Sequence, residues 1–452
     1  MSEQLLSVGL DVGTTSTQLA VSRLRIENRA SGFAVPEMEI TDREILYRSP
    51  VYFTPLVEEK LVDGNAIREI VEKEYEIAGI SREQVDSGAI IITGETSRKE
   101  NARTVLSALS EFAGDFVVAT AGPDLESVLA AKGSGAVDYS ERTGQTVLHM
   151  DIGGGTSNLA LIQEGRIVRT GCLNVGGRLV KFHGDGKLSY VSPAIREIFP
   201  LKPGDIPNRH QREALAETLA EALEMAAGRR EATELLPRLT TKETGRSWMP
   251  PEKPVVVSFS GGVADCIAEN HPEFVFGDLG PLLGKKIRES RLCREAYVLG
   301  DETIRATVIG AGCHSTQLSG STVFYRNVAF PLKNVPVVHI SDISAVQEIL
   351  AQQEVRPILA LAGKRAPSYR EVADLADSLA AQITGPLLIC LEQDMAKALG
   401  HALAVRLGPE VPLLCIDRVR VEEGSYLDIG EPVDAALPVV VKTLVLSKQV
   451  KT

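Results

Sequence analysis

The chain has 452 residues, 44% of them hydrophobic and 24% charged, the balance of a soluble globular protein of about two to four domains. Asp plus Glu number 60 against 48 Lys plus Arg, a net charge of -12, which argues against a nucleic-acid partner because phosphate backbones want a basic face. It leaves room for a nucleotide held locally by backbone N–H groups and a metal ion. The start, Met1-Ser2-Glu3-Gln4, has neither the basic residues nor the small-residue site of a signal peptide. No apolar run approaches the roughly 18 residues of a membrane span. A cytoplasmic protein without a membrane partner is the expectation. Six scattered cysteines lack a C-x-x-C pair and predict reduced, mostly buried thiols; seven histidines show no H-E-x-x-H zinc pattern.

In chain order, Leu5 to Leu10 is an apolar strand ending at Asp11, followed by a tight Gly/Thr/Ser turn at Gly13 to Thr17 and a second strand, Gln18 to Arg23. Residues 24–60 are mixed, with Pro36, Pro50 and Pro55. Gly64 to Ala78 predicts a helix with Ile67, Ile70, Val71 and Tyr75, alternatively Glu74, on the inner face. Ala89 to Thr93 reads as a buried strand, Thr96 to Phe112 as a helix, Phe116 to Thr120 as a strand, and Pro123 to Lys132 as a helix stopped by Gly133 and Gly135. Val147 to Asp151 repeats the Asp11 pattern and runs into Gly153-Gly154-Gly155-Thr156, then strands at Leu159–Ile162 and Arg166–Gly171. A strand–Asp–Gly/Thr turn–strand unit therefore occurs twice, about 140 residues apart, the mark two homologous lobes would leave.

Residues 191–250 are mainly helical, with Leu215, Leu219, Ala222, Leu223 and Ala226 on one face; core packing explains that stripe better than a cofactor box. Val255 to Phe259 is a strand ending in Ser260-Gly261-Gly262, and Ile304 to Ile309 leads into Gly310-Ala311-Gly312. From Pro336 strands at Val337–Ile340, Ile358–Ala362, Leu387–Leu391 and Leu413–Ile416 alternate with helices near 343–353, 368–383 and 394–407, a parallel βαβ array and a separate C-terminal domain.

There is no G-x-x-x-x-G-K-[ST] loop and no strand–G-x-G-x-x-G–helix fingerprint. The two Asp-hairpins offer another way to hold phosphate. Gly13-Thr14-Thr15-Ser16 and Gly153-Gly154-Gly155-Thr156 let the backbone turn sharply and present N–H groups and hydroxyls to phosphate oxygens. Asp11 and Asp151 end apolar strands, where a carboxylate is costly without a partner. Mg²⁺ held through waters would be that partner, one carboxylate orienting the attacking water. A single D-x-G-T-T is as well read as a hairpin turn with an Asx interaction; two copies in phase make that reading poor.

These motifs, in this order, resemble those of the superfamily of actin, sugar kinases and DnaK-type chaperones. Leu10 to Ser16 resembles its first phosphate motif and "HMDIGGGTSN", His149 to Asn158, its second. "VVVSFSGGVADCI" resembles the adenosine motif, while Thr120 to Gly135 and Ile304 to Gly312 resemble the two connecting helices. The resemblance implies an α/β fold of duplicated actin-like (ribonuclease H-like) ATPase lobes with an additional C-terminal α/β domain. The expected division is 1–148, 149–335 with a helical insertion near 191–250, and 336–452. It implies ATP and Mg²⁺ as ligands. ATP would be bound by Gly13, Thr14, Thr15, Ser16, Gly153, Gly154, Gly155, Thr156, Gly261 and Gly262, and the metal by Asp11 and Asp151. The acidic residue of the first connecting motif is displaced here; Asp124 and Glu126 are both candidates, and Glu126 joins Asp11 and Asp151 in the expected catalytic set.

"ITGETSRKENA", "GPDLESVLAAKGSGA", "DIGGGTSNLALI", "SFSGGVADCI" and "VIGAGCHSTQLSGST" together resemble the reactivating factors of ethanolamine ammonia-lyase, over essentially the whole chain. That resemblance implies an ATP- and Mg²⁺-dependent chaperone. Its client would be the adenosylcobalamin-dependent lyase, whose damaged cobalamin it releases so that intact cofactor can rebind. Cobalamin would be reached through the client, and the protein is expected to be cytoplasmic or associated with a bacterial microcompartment. The oligomeric state stays open, a homo-oligomer included. The alternative is a small-molecule kinase of the same fold, with Asp124, Glu126 or Asp265 as base. A filament or membrane-tethered relative is disfavoured by the short polar tail Lys448 to Thr452. His314 reads as a helix-end histidine, Cys313 as a small buried hydrophobe and Arg98-Lys99 as solvated.

Overall fold

The computed structural model describes residues 3–13, 16–28, 38–57, 61–93, 117–120, 123–241, 248–253, 255–314, 316–319, 322–351, 353, 355–383, 385–419, 421, 425–432 and 437–443. The helix expected at Thr96–Phe112 lies outside these residues. The first sheet takes β1 (Glu3–Val12), β2 (Ser16–Asn28), β3 (Met38–Arg48), β4 (Tyr52–Phe53), β5 (Ser87–Ile92) and β6 (Val117–Thr120). Its order is β3-β2-β1-β5-β6, with β4 paired to β2. The second takes β7 (Val147–Ile152), β8 (Ser157–Gln163), β9 (Arg166–Leu173), β10 (Val256–Ser260) and β11 (Tyr297–Leu299), in the order β9-β8-β7-β10-β11. In both, three antiparallel strands are extended by two parallel ones. This is one βββ-plus-parallel plan built twice, the duplicated actin-like architecture.

Local sequence explains most elements. The helix α1 (Gly64–Ala78) starts where the Asp63 carboxylate accepts from the N–H groups of Asn65 and Ala66, and stops at left-handed Gly79, φ 67°. Its inner face carries Ile67, Val71 and Tyr75, and also Glu74, fully buried where it accepts from the Tyr47 hydroxyl at 2.6 Å and from Tyr52. Both alternatives read for that face are thus inside. β1, β5, β7 and β10 are buried because helices cover both faces of the parallel part.

Two helices cross between the sheets. α2 (Pro123–Gly133) precedes the second sheet in the chain but packs on its strands β8 and β9; a later helix, Ala306–His314, follows the second sheet but packs on β1, β2 and β5 of the first. Among the helices between them in sequence are α3 (Arg209–Ala226), α4 (Gly262–Ala268) and α5 (Gly280–Glu289), and the later crossing helix is α6. α3 buries Leu215, Leu219, Ala222, Leu223 and Ala226, the expected stripe, in the largest core. α2 and α6 meet backbone to backbone. A Cβ on Gly133 would stand 1.9 Å from Ala306 O, and one on Gly310 2.0 Å from Leu129 O.

A third sheet has eight strands, β12 (Thr316–Leu318), β13 (Phe324–Arg326), β14 (Leu332–His339), β15 (Ile358–Leu361), β16 (Leu387–Leu391), β17 (Leu413–Asp417), β18 (Ser425–Ile429) and β19 (Pro438–Thr443), ordered β12-β19-β18-β14-β15-β16-β17-β13. The four parallel strands are the expected βαβ array, with α7 (Tyr369–Gln382) and α8 (Ala396–Arg406) among its crossovers. The antiparallel strands around it alter the expected division. The 335/336 boundary falls inside β14, and 148/149 falls inside β7, because each divides a strand from its own apolar run. No disulfide joins the six cysteines, and five are buried, Cys313 at 1% exposure against the Ser22 hydroxyl. Among the described residues no helix is long and apolar enough to cross a membrane.

Candidate functional site

The two Asp-turns close in the same way. Gly13 N–H donates to Ser16 O at 2.9 Å, and Gly153 N–H donates to Thr156 O at 2.9 Å. The flanking registers agree too: Asp11 lies opposite Gln18, and Asp151 opposite Asn158. The structure therefore places Asp11, Gly13 and Ser16 on one side and Asp151 with Gly153 to Thr156 on the other. The two carboxylates are close enough for the charge of Asp151 to act on Asp11. Thr14 and Thr15 lie outside the described residues. Gly155 meets nothing within 4 Å of where its Cβ would be, so the tip of the second turn faces open space.

The carboxylates are nearly buried, 8% exposed at Asp11 and 6% at Asp151. Burial pushes Asp11 up to about 7; the Thr93 hydroxyl, donating to its Oδ1 at 3.0 Å, works against that shift, and the Asp151 charge adds to it. Burial pushes Asp151 up to about 6, opposed by the hydroxyl of Ser260, which donates to Oδ1 at 2.5 Å, and by Asn158 and Thr307. Thr307 comes from α6, so the crossing helix reaches the carboxylate of the opposite sheet.

Gly261 and Gly262 form the turn from β10 into α4. Gly261 has φ 85°, donates its N–H to Thr303 O at 3.0 Å, and sits so tightly on β7 that a Cβ would be 2.4 Å from Ile152 O. Gly262 opens α4. Of the connecting-motif candidates, Asp124 is exposed and accepts from the Thr170 hydroxyl on β9 at 2.6 Å, while Glu126 is half-buried in the same first turn of α2.

Two buried orphans test whether hydrated magnesium suits this cleft. Gln18 Oε1 and Asn158 Oδ1 are buried acceptors without partners, each directly opposite one of the two carboxylates. A buried acceptor left unsatisfied costs about 1–3 kcal/mol. Magnesium keeps several waters, and such waters are donors. Donor waters on a bound ion would satisfy both acceptors, so the residues present fit a hydrated magnesium.

Several residues here escaped sequence reading: Gln18, Thr93, Asn158, Ser260, Thr307, and Arg178. Arg178 donates its N–H to Gly154 O at 2.6 Å, and its guanidinium lies 5.7 Å from the ring of Phe53, on the strand paired with Ser16. Gln18 and Asn158 could have been found by asking what lies opposite each Asp across its own hairpin; nothing local signals the others.

A family model described as Ethanolamine utilisation protein EutA matches residues 3–447. The chain is 40% identical to the ethanolamine ammonia-lyase reactivase EutA of Salmonella typhimurium, over 98% of this chain and 99% of that one. It is 38% identical to the reactivase of the same description from Escherichia coli, over the same shares. Among solved structures, the Aquifex aeolicus PPX-GPPA enzyme is similar with a TM-score of 0.42 and 12% identity, covering 69% of this chain and 99% of that one.

Proposed function

Because this chain belongs to the EutA family of ethanolamine utilisation proteins, we propose that it is an ATP-dependent reactivase of ethanolamine ammonia-lyase. In this reading it releases damaged cobalamin from the lyase so that intact adenosylcobalamin rebinds. The observation that carries the ATP half is the pair of identically closed turns, each opening two residues beyond a buried Asp. The client half rests on 40% identity along the full length to a protein named for that activity.

The chain's own part in hydrolysis follows from its geometry. Gly13 and Gly153 close the two turns, the tip of the second facing open space at Gly155, and Gly261 and Gly262 leave the adenosine wall without side chains. Thr93 and Ser260 hold one oxygen of Asp11 and of Asp151. The remaining carboxylate oxygens, with Gln18 and Asn158, accept from water in the cleft, and one carboxylate orients the attacking water. Bound magnesium supplies positive charge against the phosphates and favours the ionised carboxylates. Opening and closing about the α2–α6 crossing then passes the nucleotide state to the client.

The test is rescue. Ethanolamine ammonia-lyase inactivated with cyanocobalamin is mixed with this protein, Mg-ATP and fresh adenosylcobalamin. Lyase activity is expected to return only when ATP is present. ATP turnover without rescue would remove the lyase from the proposal and leave the ATPase.

A further inference from the structure

β7 and β10 pair in parallel with His149 opposite Ser258 and Asp151 opposite Ser260. Residues two apart on a strand share a face, so these four side chains line one surface, 0%, 1%, 6% and 0% exposed at His149, Ser258, Asp151 and Ser260. Their hydrogen bonds run in one direction. Ionised Asp151 only accepts, so the Ser260 hydroxyl donates to its Oδ1 at 2.5 Å. That spends the hydroxyl's single proton. The 2.9 Å contact between Ser260 Oγ and His149 Nε2 therefore needs the imidazole to donate. A buried imidazole touching only hydroxyls is neutral and has one N–H. Its Nδ1 is then an acceptor, and Ser258 Oγ, 3.2 Å away, donates to it. Ser134 Oγ, whose proton goes to Ala131 O at 3.2 Å, stands 3.4 and 3.5 Å from the two ring nitrogens, too far to compete.

We infer that His149 is a positioning residue for Asp151: its Nε2–H keeps the Ser260 hydroxyl turned toward the carboxylate, and Ser258 keeps the imidazole in that tautomer. The fold itself does not require the arrangement. In the duplicated half the residue two before Asp11 is Gly9, where a Cβ would stand 2.3 Å from Val308 O on α6. Asp11 is served directly by Thr93 instead. The second sheet thus carries a three-residue device that its twin lacks, aimed at the one carboxylate.

Two measurements test it on the full chain, and only the kinetic one rests on the ATP-cleft reading. First, ring-¹⁵N-histidine labelling without nucleotide at about pH 8 resolves the seven histidines, with His149→Gln identifying the signal. A neutral ring protonated at Nε2 is expected; protonation at Nδ1, or a mixture of tautomers, overturns the inference. Second, His149→Met should lower kcat for ATP about tenfold with KM changed less than about twofold, and His149→Gln, which keeps an N–H donor at the same reach, should recover most of it. Ser258→Ala, two residues before Ser260 on β10, should lower kcat about threefold and tests the same chain if the methionine variant does not fold. Unchanged kcat in folded His149→Met or Ser258→Ala, or a glutamine variant no better than methionine, sinks the proposal. If the wild-type chain turns over no ATP, the function proposed above fails and the tautomer alone decides.

Discussion

Asp11 and Asp151 are both buried carboxylates whose pKa burial raises. For Asp11 the folded value, about 7, lies above the usual 3.8. Between those values the folded chain holds more protons than the unfolded one, so stability falls as pH rises from about 4 to about 7. The stabilisation carried by the protonated form is whole below 3.8 and lost above 7. The nucleotide-free protein should therefore melt lower near pH 8 than near pH 5, Asp11 contributing at most about 4 kcal/mol. Asp11→Asn should erase much of that pH dependence in a thermal melt while abolishing ATP turnover. Asp11→Ala and Asp151→Ala are each expected to cut ATP turnover about a hundredfold or more. Wild-type turnover by both folded variants would contradict the cleft. The Asp and Gly residues were legible in sequence because a turn is decided within a few positions. Thr93 and Ser260 were not, because strand pairing brings them from 82 and 109 residues away.

At the scale of elements, the crossing of α2 and α6 is the tightest helix contact, and it depends on two glycines. Gly310→Ala puts a methyl 2.0 Å from a backbone carbonyl that cannot rotate aside. It should cost about 2–3 kcal/mol, read as a lower melting temperature and weaker ATP turnover. Gly184→Ala, with nothing within 4 Å and no left-handed backbone, should change neither. Start and stop residues mark α2 and the family resemblance marks α6, but neither gives their exchange between sheets, since an apolar face does not say which sheet covers it. β3 was read as mixed chain. It is an edge strand whose exposed Asp42-Arg43-Glu44 breaks the apolar alternation, as edge strands often do.

For the whole molecule, one contact that spans the cleft is Phe53 with Arg178. Phe53 is 79% exposed, so it contributes little to either core. Each partner belongs to a segment that braces one turn: Thr54 donates to Gly13 O at 2.7 Å, and Gly177 N–H donates to Gly153 O at 3.0 Å. Phe53→Ala should leave the melting temperature unchanged and raise KM for ATP roughly two- to fivefold, the loss of one exposed cation–π contact across the closing lobes. An unchanged KM in steady-state turnover would separate this contact from closure. The third sheet packs through β19 against β6 of the first sheet, which gives lobe movement a route to that sheet.

By itself the sequence determined the two turns, their Asp residues, the apolar stripes and the parallel array after Pro336. Each depends on residues a few positions apart, where backbone sterics and the strand or helix period act directly. Only the tertiary structure decided the exchange of α2 and α6, the full membership of the third sheet, the orphan oxygens of Gln18 and Asn158, and the line from Ser258 through His149 and Ser260 to Asp151. Those depend on register between distant strands, which is set by how whole faces pack.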